Sequence, residues 1–209
     1  MTPAQPPTIP NASRPLAFAG QCIGLLGGSF DPPHDGHMHI SRWALKAIGL
    51  HAVWWLVSPG NPLKQQGPAD IDRRLAACRA LVDHPRIRVT DIERHLGSPY
   101  TADTLRQLDR RYPGVRFIWL MGADNLASFH HWQHWRWIMA THSIAVMARP
   151  CEQIAAGLSP AARTYAHRRL PGDAVRALRS GSPRWALLNG PMSDHSSTRL
   201  RDAGAWVKS

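Results

Sequence analysis

Cysteine is scarce in this sequence. The 209 residues contain three cysteines, Cys22, Cys78 and Cys151, which lie far apart in the chain. No C-x-x-C pair is present, which argues against a disulfide framework and against a structural zinc site. This usage is typical of a protein in a reducing compartment, and we expect the protein to be cytoplasmic.

Long hydrophobic runs and acidic residues are also few. No segment reaches the roughly 18 consecutive apolar residues of a membrane-spanning helix, so no membrane association is expected. Lysine and arginine number 25 against 14 acidic residues, a formal net charge of +11. The arginines occur as separate pairs, such as Arg73-Arg74, which indicates a solvated surface with some attraction for anionic substrates. Nucleic-acid binding is not expected from this pattern.

The remaining composition is that of a globular protein. Hydrophobic residues make up 44% of the chain, and the length suits a single domain with its own core. Residues 1–19 are rich in proline, alanine and polar residues and show no periodicity. We therefore expect a disordered N-terminal extension over 1–19 and a single domain over 20–209.

Strand and helix patterns alternate along that domain. Short apolar runs predict strands at about 21–27, 52–57, 87–92, 115–121, 143–147 and 185–188. Helical spacing predicts helices at about 36–49, 71–82, 101–111, 131–140 and 196–204, a turn at 122–125, and at least one helix within the variable stretch 150–183. This alternation predicts an α/β fold, with a parallel sheet covered on both faces.

The most informative segment lies between the first strand and the first helix. Gly27 and Gly28 end the strand, and His34 and His37 lie at the start of the helix. Backbone N–H groups at a helix N-terminus lack intrahelical partners and carry positive dipole, which suits a phosphate group. The glycines allow the backbone to approach an anion closely, and the histidines can add donors.

A second candidate phosphate site lies near the end of the chain. Ser196, Ser197 and Thr198 stand at the start of the last predicted helix, and Arg201 follows within its first turn. Hydroxyl groups at a helix start can cap the helix or bind phosphate, and a guanidinium suits phosphate oxygens.

These segments resemble two signatures of the nucleotidyltransferases that share the fold of class I tRNA synthetase catalytic domains. The first is G-x-F-x-P-x-H-x-G-H, whose fixed positions are filled by Gly28, Phe30, Pro32, His34, Gly36 and His37. The second is I-S-S-T-x-I-R, in which His195 and Leu200 replace the isoleucines. The resemblance implies a Rossmann-like, doubly wound parallel sheet.

The central chain resembles the nicotinate-nucleotide adenylyltransferases within that group. Residues 98–105 are similar to their S-Y-T-x-x-T-L element, and residues 122–132 to their G-x-D-x-L-x-x-F-x-x-W element. Residues 147–150 resemble the R-P that follows their next strand. Residues 61–64 resemble their N-P-x-x-K loop with one residue fewer.

This resemblance implies transfer of the adenylyl group of ATP to nicotinate mononucleotide, giving nicotinate adenine dinucleotide and pyrophosphate, with Mg²⁺ accompanying ATP. The implied catalytic residues are His34, His37 and Arg201. The implied ATP-binding residues are Gly28, Ser29, Phe30, Gly36, Gly122, Asp124, Ser196, Ser197 and Thr198. The implied residues for the mononucleotide are Asn61, Lys64, Thr101, Trp132 and Arg149, with Trp132 stacking on the pyridine ring.

Several alternatives stay open at this point. The acceptor could be nicotinamide mononucleotide or another phosphorylated molecule, and the basic charge suggests a non-catalytic RNA-binding relative as a rival of another class. His130 and His134 are four residues apart, but no third ligand accompanies them, so no protein-held metal site is expected. A homo-oligomer is compatible with the sequence, which determines neither the oligomeric state nor the role of residues 150–183.

Overall fold

The computed structural model describes residues 10, 13–60, 67–147 and 153–188. Within these residues a sheet of seven parallel strands has the order β3-β2-β1-β4-β5-β7-β6. The strands are β1 (Cys22–Gly28), β2 (Ala52–Val57), β3 (Ile87–Thr90), β4 (Arg116–Gly122), β5 (Ser143–Met147), β6 (Arg169–Leu170) and β7 (Trp185–Leu188). The predicted α/β fold with a parallel sheet is confirmed.

Helices cover both faces of this sheet. They are α1 (Asp35–Ala47), α2 (Ile71–Leu81), α3 (Thr101–Arg111), α4 (Ala123–Ser128), α5 (Trp135–Thr141), α6 (Gln153–Gly157) and α7 (Pro160–Thr164). Short 3₁₀ segments occur at Ile92–His95, Phe129–His131, Ala166–Arg168 and Gly172–Arg179. None of the helices in the described ranges is long and apolar enough to cross a membrane.

The core consists of two apolar layers, one on each face of the sheet. Successive side chains of a strand point to opposite faces of the sheet, and strand β2 contributes to both layers. Trp54 and Leu56 belong to one layer, and Trp55 and Val57 belong to the other. Helices α1 and α2 cover the layer that contains Trp55, and α3, α4 and α5 cover the layer that contains Trp54. Strands buried on both faces are apolar throughout, which explains the continuous run from residue 52 to 57.

The position of β1 in the sheet locates the site. The chain runs outward from β1 to β2 and β3, and then returns to place β4 on the other side of β1. A crevice forms at the carboxyl ends of strands where the order reverses in this way. The segments that follow Gly28 and Gly122 both leave the sheet at this edge.

Local details differ from the sequence predictions in three places. Residues 122–125 were predicted as a turn, but α4 begins directly after β4 because Gly122 serves as its N-cap. The helix predicted over 131–140 begins only at Trp135, since His134 adopts a left-handed backbone with φ of 56°. Strand β6 was missed, because two residues are too short to show periodicity.

The N-terminal expectation needs correction from Ser13 onward. The Ser13 carbonyl accepts a hydrogen bond of 2.5 Å from Thr90 Oγ1, and the Pro15 carbonyl accepts one of 3.0 Å from Tyr112 Oη. Residues 13–19 are therefore attached to the domain through Thr90 of β3 and Tyr112 after α3, rather than forming part of a disordered extension. Their contacts join residues 77 or more positions apart, which local sequence patterns do not reveal. Residues 1–9, 11 and 12 lie outside the described ranges.

Candidate active site

The signature segment (residues 28–37) connects β1 to α1. Phe30 adopts φ of 48°, a left-handed conformation that is uncommon for a bulky residue. Its ring is buried and stacks on Trp55 of β2, with centroids 5.0 Å apart and an interplanar angle of 17°. Packing on the neighbouring strand offsets the strained backbone and fixes the path of the segment.

The two histidines form one unit at the start of α1. His34 is the N-cap residue, and its backbone N–H donates a hydrogen bond of 3.1 Å to His37 Nδ1. Their rings lie close together, with centroids 3.8 Å apart. Because Nδ1 accepts this bond, the neutral ring of His37 carries its proton on Nε2, which is then a donor.

The N-terminus of helix α1 lies beside the two histidine rings. Gly36 in its first turn is buried, His34 is 7% exposed, and His37 is partly exposed. The helix is 13 residues long, so its aligned peptide dipoles and its first N–H groups are available to an anion. The N–H groups of the helix start and both histidine rings therefore provide several donors in one place, an arrangement that can bind phosphate oxygens.

An aromatic pair links this segment to the next candidate residue. A Cβ placed on Gly27 would lie 2.4 Å from Trp119 Cη2, so the indole of Trp119 packs directly on the Gly27 backbone. Trp119 in turn meets Trp132 edge to face, with centroids 6.2 Å apart. The partly buried ring of Trp132 therefore lies one side chain away from the end of β1.

Two further candidate residues lie at helix starts. Asp124 is an exposed residue in the first turn of α4, two residues after the buried Gly122. Thr101 is the first residue of α3 and is partly buried. Gly28 and Gly122, which end β1 and β4, both lie at the carboxyl edge of the sheet.

The segment before α3 contains a carboxyl group with a perturbed pKa. Glu93 accepts a hydrogen bond of 3.0 Å from Thr104 Oγ1, a buried group of α3. Desolvation raises the pKa of Glu93 to about 7, although the bond from Thr104 acts in the opposite direction. Glu93 is not recognisable as a site residue in the sequence, because desolvation of a carboxyl group has no local sequence signal.

Seven of the seventeen predicted site residues lie outside the described ranges. The residues that lie outside the described ranges are Asn61, Lys64, Arg149, Ser196, Ser197, Thr198 and Arg201, together with the helix predicted over 196–204. Their roles stay predictions.

One arginine lies where the sequence does not predict it. The pair Arg73-Arg74 indicates a solvated surface, but Arg74 is 1% exposed. Its guanidinium donates to the carbonyl of Ser29 within the signature segment, at 2.6 Å. The helical position of Arg74 next to Leu75 was the only available signal, since both lie on the buried face of α2.

Comparisons with known proteins agree on one family. The model of the cytidylyltransferase-like family matches residues 25–203. The chain is 58% identical over 193 residues to the probable nicotinate-nucleotide adenylyltransferase of Ruegeria pomeroyi, covering 92% of this chain and 91% of the relative. It is 49% identical over 197 residues to the protein of the same name from Parvibaculum lavamentivorans, covering 93% and 98%.

The fold is also found among solved structures. The nicotinic acid mononucleotide adenylyltransferase of Plasmodium falciparum, complexed with NaAD, superposes with a TM-score of 0.66. The match covers 87% of this chain and 83% of that chain at 16% sequence identity. At this identity the likeness supports the arrangement of strands and helices.

Proposed function

This chain belongs to the nicotinate-nucleotide adenylyltransferases of the cytidylyltransferase-like family, and from that premise we propose how its residues carry out the reaction. The enzyme transfers the adenylyl group of ATP to nicotinate mononucleotide, a step of NAD biosynthesis. The observation that carries the site assignment is the N-terminus of α1, where His34, His37 and the helix dipole converge.

The chemistry requires positioning rather than proton removal. The phosphate of nicotinate mononucleotide attacks the α-phosphorus of ATP in line, and pyrophosphate leaves. Since the attacking phosphate is already an anion, no general base is needed. Catalysis then depends on holding the two phosphates in contact and on stabilising the charge that develops in the transition state.

His37 is the group we assign to transition-state stabilisation. Its Nδ1 accepts the His34 N–H, so Nε2 carries the proton that can be donated to a phosphate oxygen. His34, Gly28, Ser29, Phe30 and Gly36 shape the cradle for the ATP phosphates. Arg201 and Lys64 would add positive charge, and Ser196, Ser197 and Thr198 would line the β- and γ-phosphates.

Magnesium fits this scheme as an ion that arrives with the nucleotide. In the described ranges no group of three or more His, Cys, Asp or Glu side chains could hold a metal by itself. Mg²⁺ keeps several waters and binds substrate phosphates readily, so a protein cage is not required. When bound with ATP, the ion would neutralise triphosphate charge.

The acceptor pocket is assigned to the neighbourhood of Trp132. Its ring is partly exposed and rests on Phe129 and Trp119, with centroids 5.0 and 6.2 Å away. A planar pyridine ring can stack on such a fixed indole. Thr101, Asn61 and Arg149 are the further residues proposed for this substrate, and Gly122 and Asp124 are proposed for the nucleoside part of ATP.

The rival functions receive less support. The relatives that match over nine-tenths of the chain are named for nicotinate-nucleotide transfer, not for RNA binding. His34 and His37 are in place at the N-terminus of α1, which a binding module would not require. Use of nicotinamide mononucleotide is the alternative that needs a direct test.

That test measures pyrophosphate release with ATP and Mg²⁺ and each acceptor in turn. We expect kcat/KM to be far higher with nicotinate mononucleotide than with nicotinamide mononucleotide. Trp132→Ala should raise KM for nicotinate mononucleotide, while Trp132→Phe, which keeps an aromatic face, should retain most of the affinity. Equal kcat/KM for the two acceptors would contradict the proposed preference for nicotinate mononucleotide.

A further inference from the structure

Arg74 is a fully charged side chain in the interior of the protein. It lies in the first turns of α2 and is 1% exposed. Arginine is almost never buried unless its donors are matched by acceptors and its charge by a partner. The groups that accept hydrogen bonds from Arg74 therefore indicate its role.

The guanidinium joins three backbone segments. Nε donates to the carbonyl of Ala69 at 2.6 Å, and one terminal nitrogen donates to the carbonyls of Ser29 at 2.6 Å and Ser58 at 2.8 Å. Ser29 belongs to the signature segment, and Ser58 is the first residue after β2. The Ser58 N–H also donates to the Gly28 carbonyl at 3.0 Å. The ends of β1 and β2 are therefore connected both by this direct hydrogen bond and through the guanidinium of Arg74.

The signature segment also contains an acidic residue that partly compensates the charge of Arg74. Asp31 is 2% exposed and favours the charged form of Arg74, against the desolvation that lowers the pKa of the guanidinium. Asp31, in the turn that precedes His34, thus offsets part of the cost of burying the guanidinium of Arg74.

We propose that Arg74 is a positioning residue for adenylyl transfer, which holds the turn at Ser29 and the chain leaving β2 in the geometry that presents His37 to the phosphates. It touches backbone rather than substrate, so it acts through the signature segment. The assignment deepens the proposed function and rests on it. A displacement of about 1 Å in such a segment can lower turnover about 100-fold.

The informative variant is Arg74→Lys. Lysine keeps a cation near Asp31, but its single nitrogen cannot occupy the positions of both Nε and the terminal nitrogen. Arg74→Met removes the charge as well. Arg79→Lys and Arg79→Met are matched controls, because Arg79 is an exposed arginine at the other end of the same helix.

Two measurements separate positioning from folding. With ATP and nicotinate mononucleotide at a temperature well below the melting transition, Arg74→Lys should lower kcat about 10–100-fold and change KM for nicotinate mononucleotide little. Hydrogen–deuterium exchange should be faster in the signature segment and at Ser58, and unchanged in β5. The Arg79 variants should match the wild type in both measurements.

Each outcome is decisive. Wild-type turnover in Arg74→Lys, or unchanged exchange in the signature segment, would overturn the proposal. So would an unfolded Arg74→Lys protein, because Arg74 would then be a structural residue of the core. Failure of the wild type itself to release pyrophosphate would instead refute the proposed function. The exchange measurement would still test whether Arg74 holds the signature segment to the chain at Ser58.

Discussion

Replacing Gly27 by alanine should destabilise the protein through a single contact. Gly27 lies near the end of β1, opposite Leu56 of β2. An added Cβ would lie 2.4 Å from Trp119 Cη2 and 2.8 Å from Cζ2, distances at which atoms must shift. Trp119 is 2% exposed, so its ring has no solvent to move into.

Two opposing effects set the magnitude. Alanine is favoured over glycine within a strand by roughly 0.5–1 kcal/mol because it loses less backbone entropy. Overpacking of a filled core costs about 1–3 kcal/mol. The steric effect is the larger, which leaves a net loss of about 1–2 kcal/mol. For a chain of this size, that loss lowers Tm by about 2–8 °C.

The neighbouring glycine provides the control. A Cβ on Gly28 would meet the Phe30 ring at 3.6 Å or more, an ordinary contact distance. Gly28→Ala should therefore leave the free energy of unfolding unchanged or slightly raised. Urea unfolding of both variants, and of both again in a Trp119→Phe background, measures the contact directly. Phenylalanine lacks the outer indole ring, so Gly27→Ala should be milder there by about 1 kcal/mol.

Equal stability of Gly27→Ala and Gly28→Ala would refute this reasoning. The same holds for a Gly27→Ala loss that is unchanged by Trp119→Phe. Either result would mean that Trp119 does not pack on the Gly27 backbone, and the aromatic link from β1 to Trp132 would be lost with it.

Three further outcomes are expected. His37→Ala should lower kcat about 10²–10³-fold with little change in KM for nicotinate mononucleotide, whereas His39→Ala should be mild, and the reverse ranking would contradict the assignment. Glu93→Gln should raise stability more at about pH 8 than at about pH 5, because the Glu93 pKa of about 7 in the folded state lies above its ordinary 4.5. The wild type thus loses stability as pH rises from 4.5 to about 7. Equal pH dependence of the urea midpoints in the wild type and in Glu93→Gln would contradict this. Deleting residues 2–17 should lower Tm, since the Ser13 and Pro15 carbonyls accept hydrogen bonds from the domain, and an unchanged Tm would contradict this packing.

The sequence alone determined the elements whose signals are local. The strands at 52–57, 143–147 and 185–188 and the helix at 101–111 have the predicted bounds, because a buried strand or an amphipathic helix is visible in its own side-chain spacing. The strand, turn and helix around His34 and His37 were predictable for the same reason. The features that indicate this site, from Gly28 to His37, all lie within a segment of about ten residues.

Only the tertiary structure decided how distant residues meet. Arg74 and Ser29 are 45 positions apart, and Thr90 and Ser13 are 77 apart, so no local pattern reveals that these residues meet. The order of strands, which places β4 beside β1, likewise brings Trp119 onto Gly27. Whether a charged or polar side chain is buried depends on which acceptors the fold brings within reach. Those acceptors are brought close by the packing of helices against strands, which the local preferences of the chain do not determine.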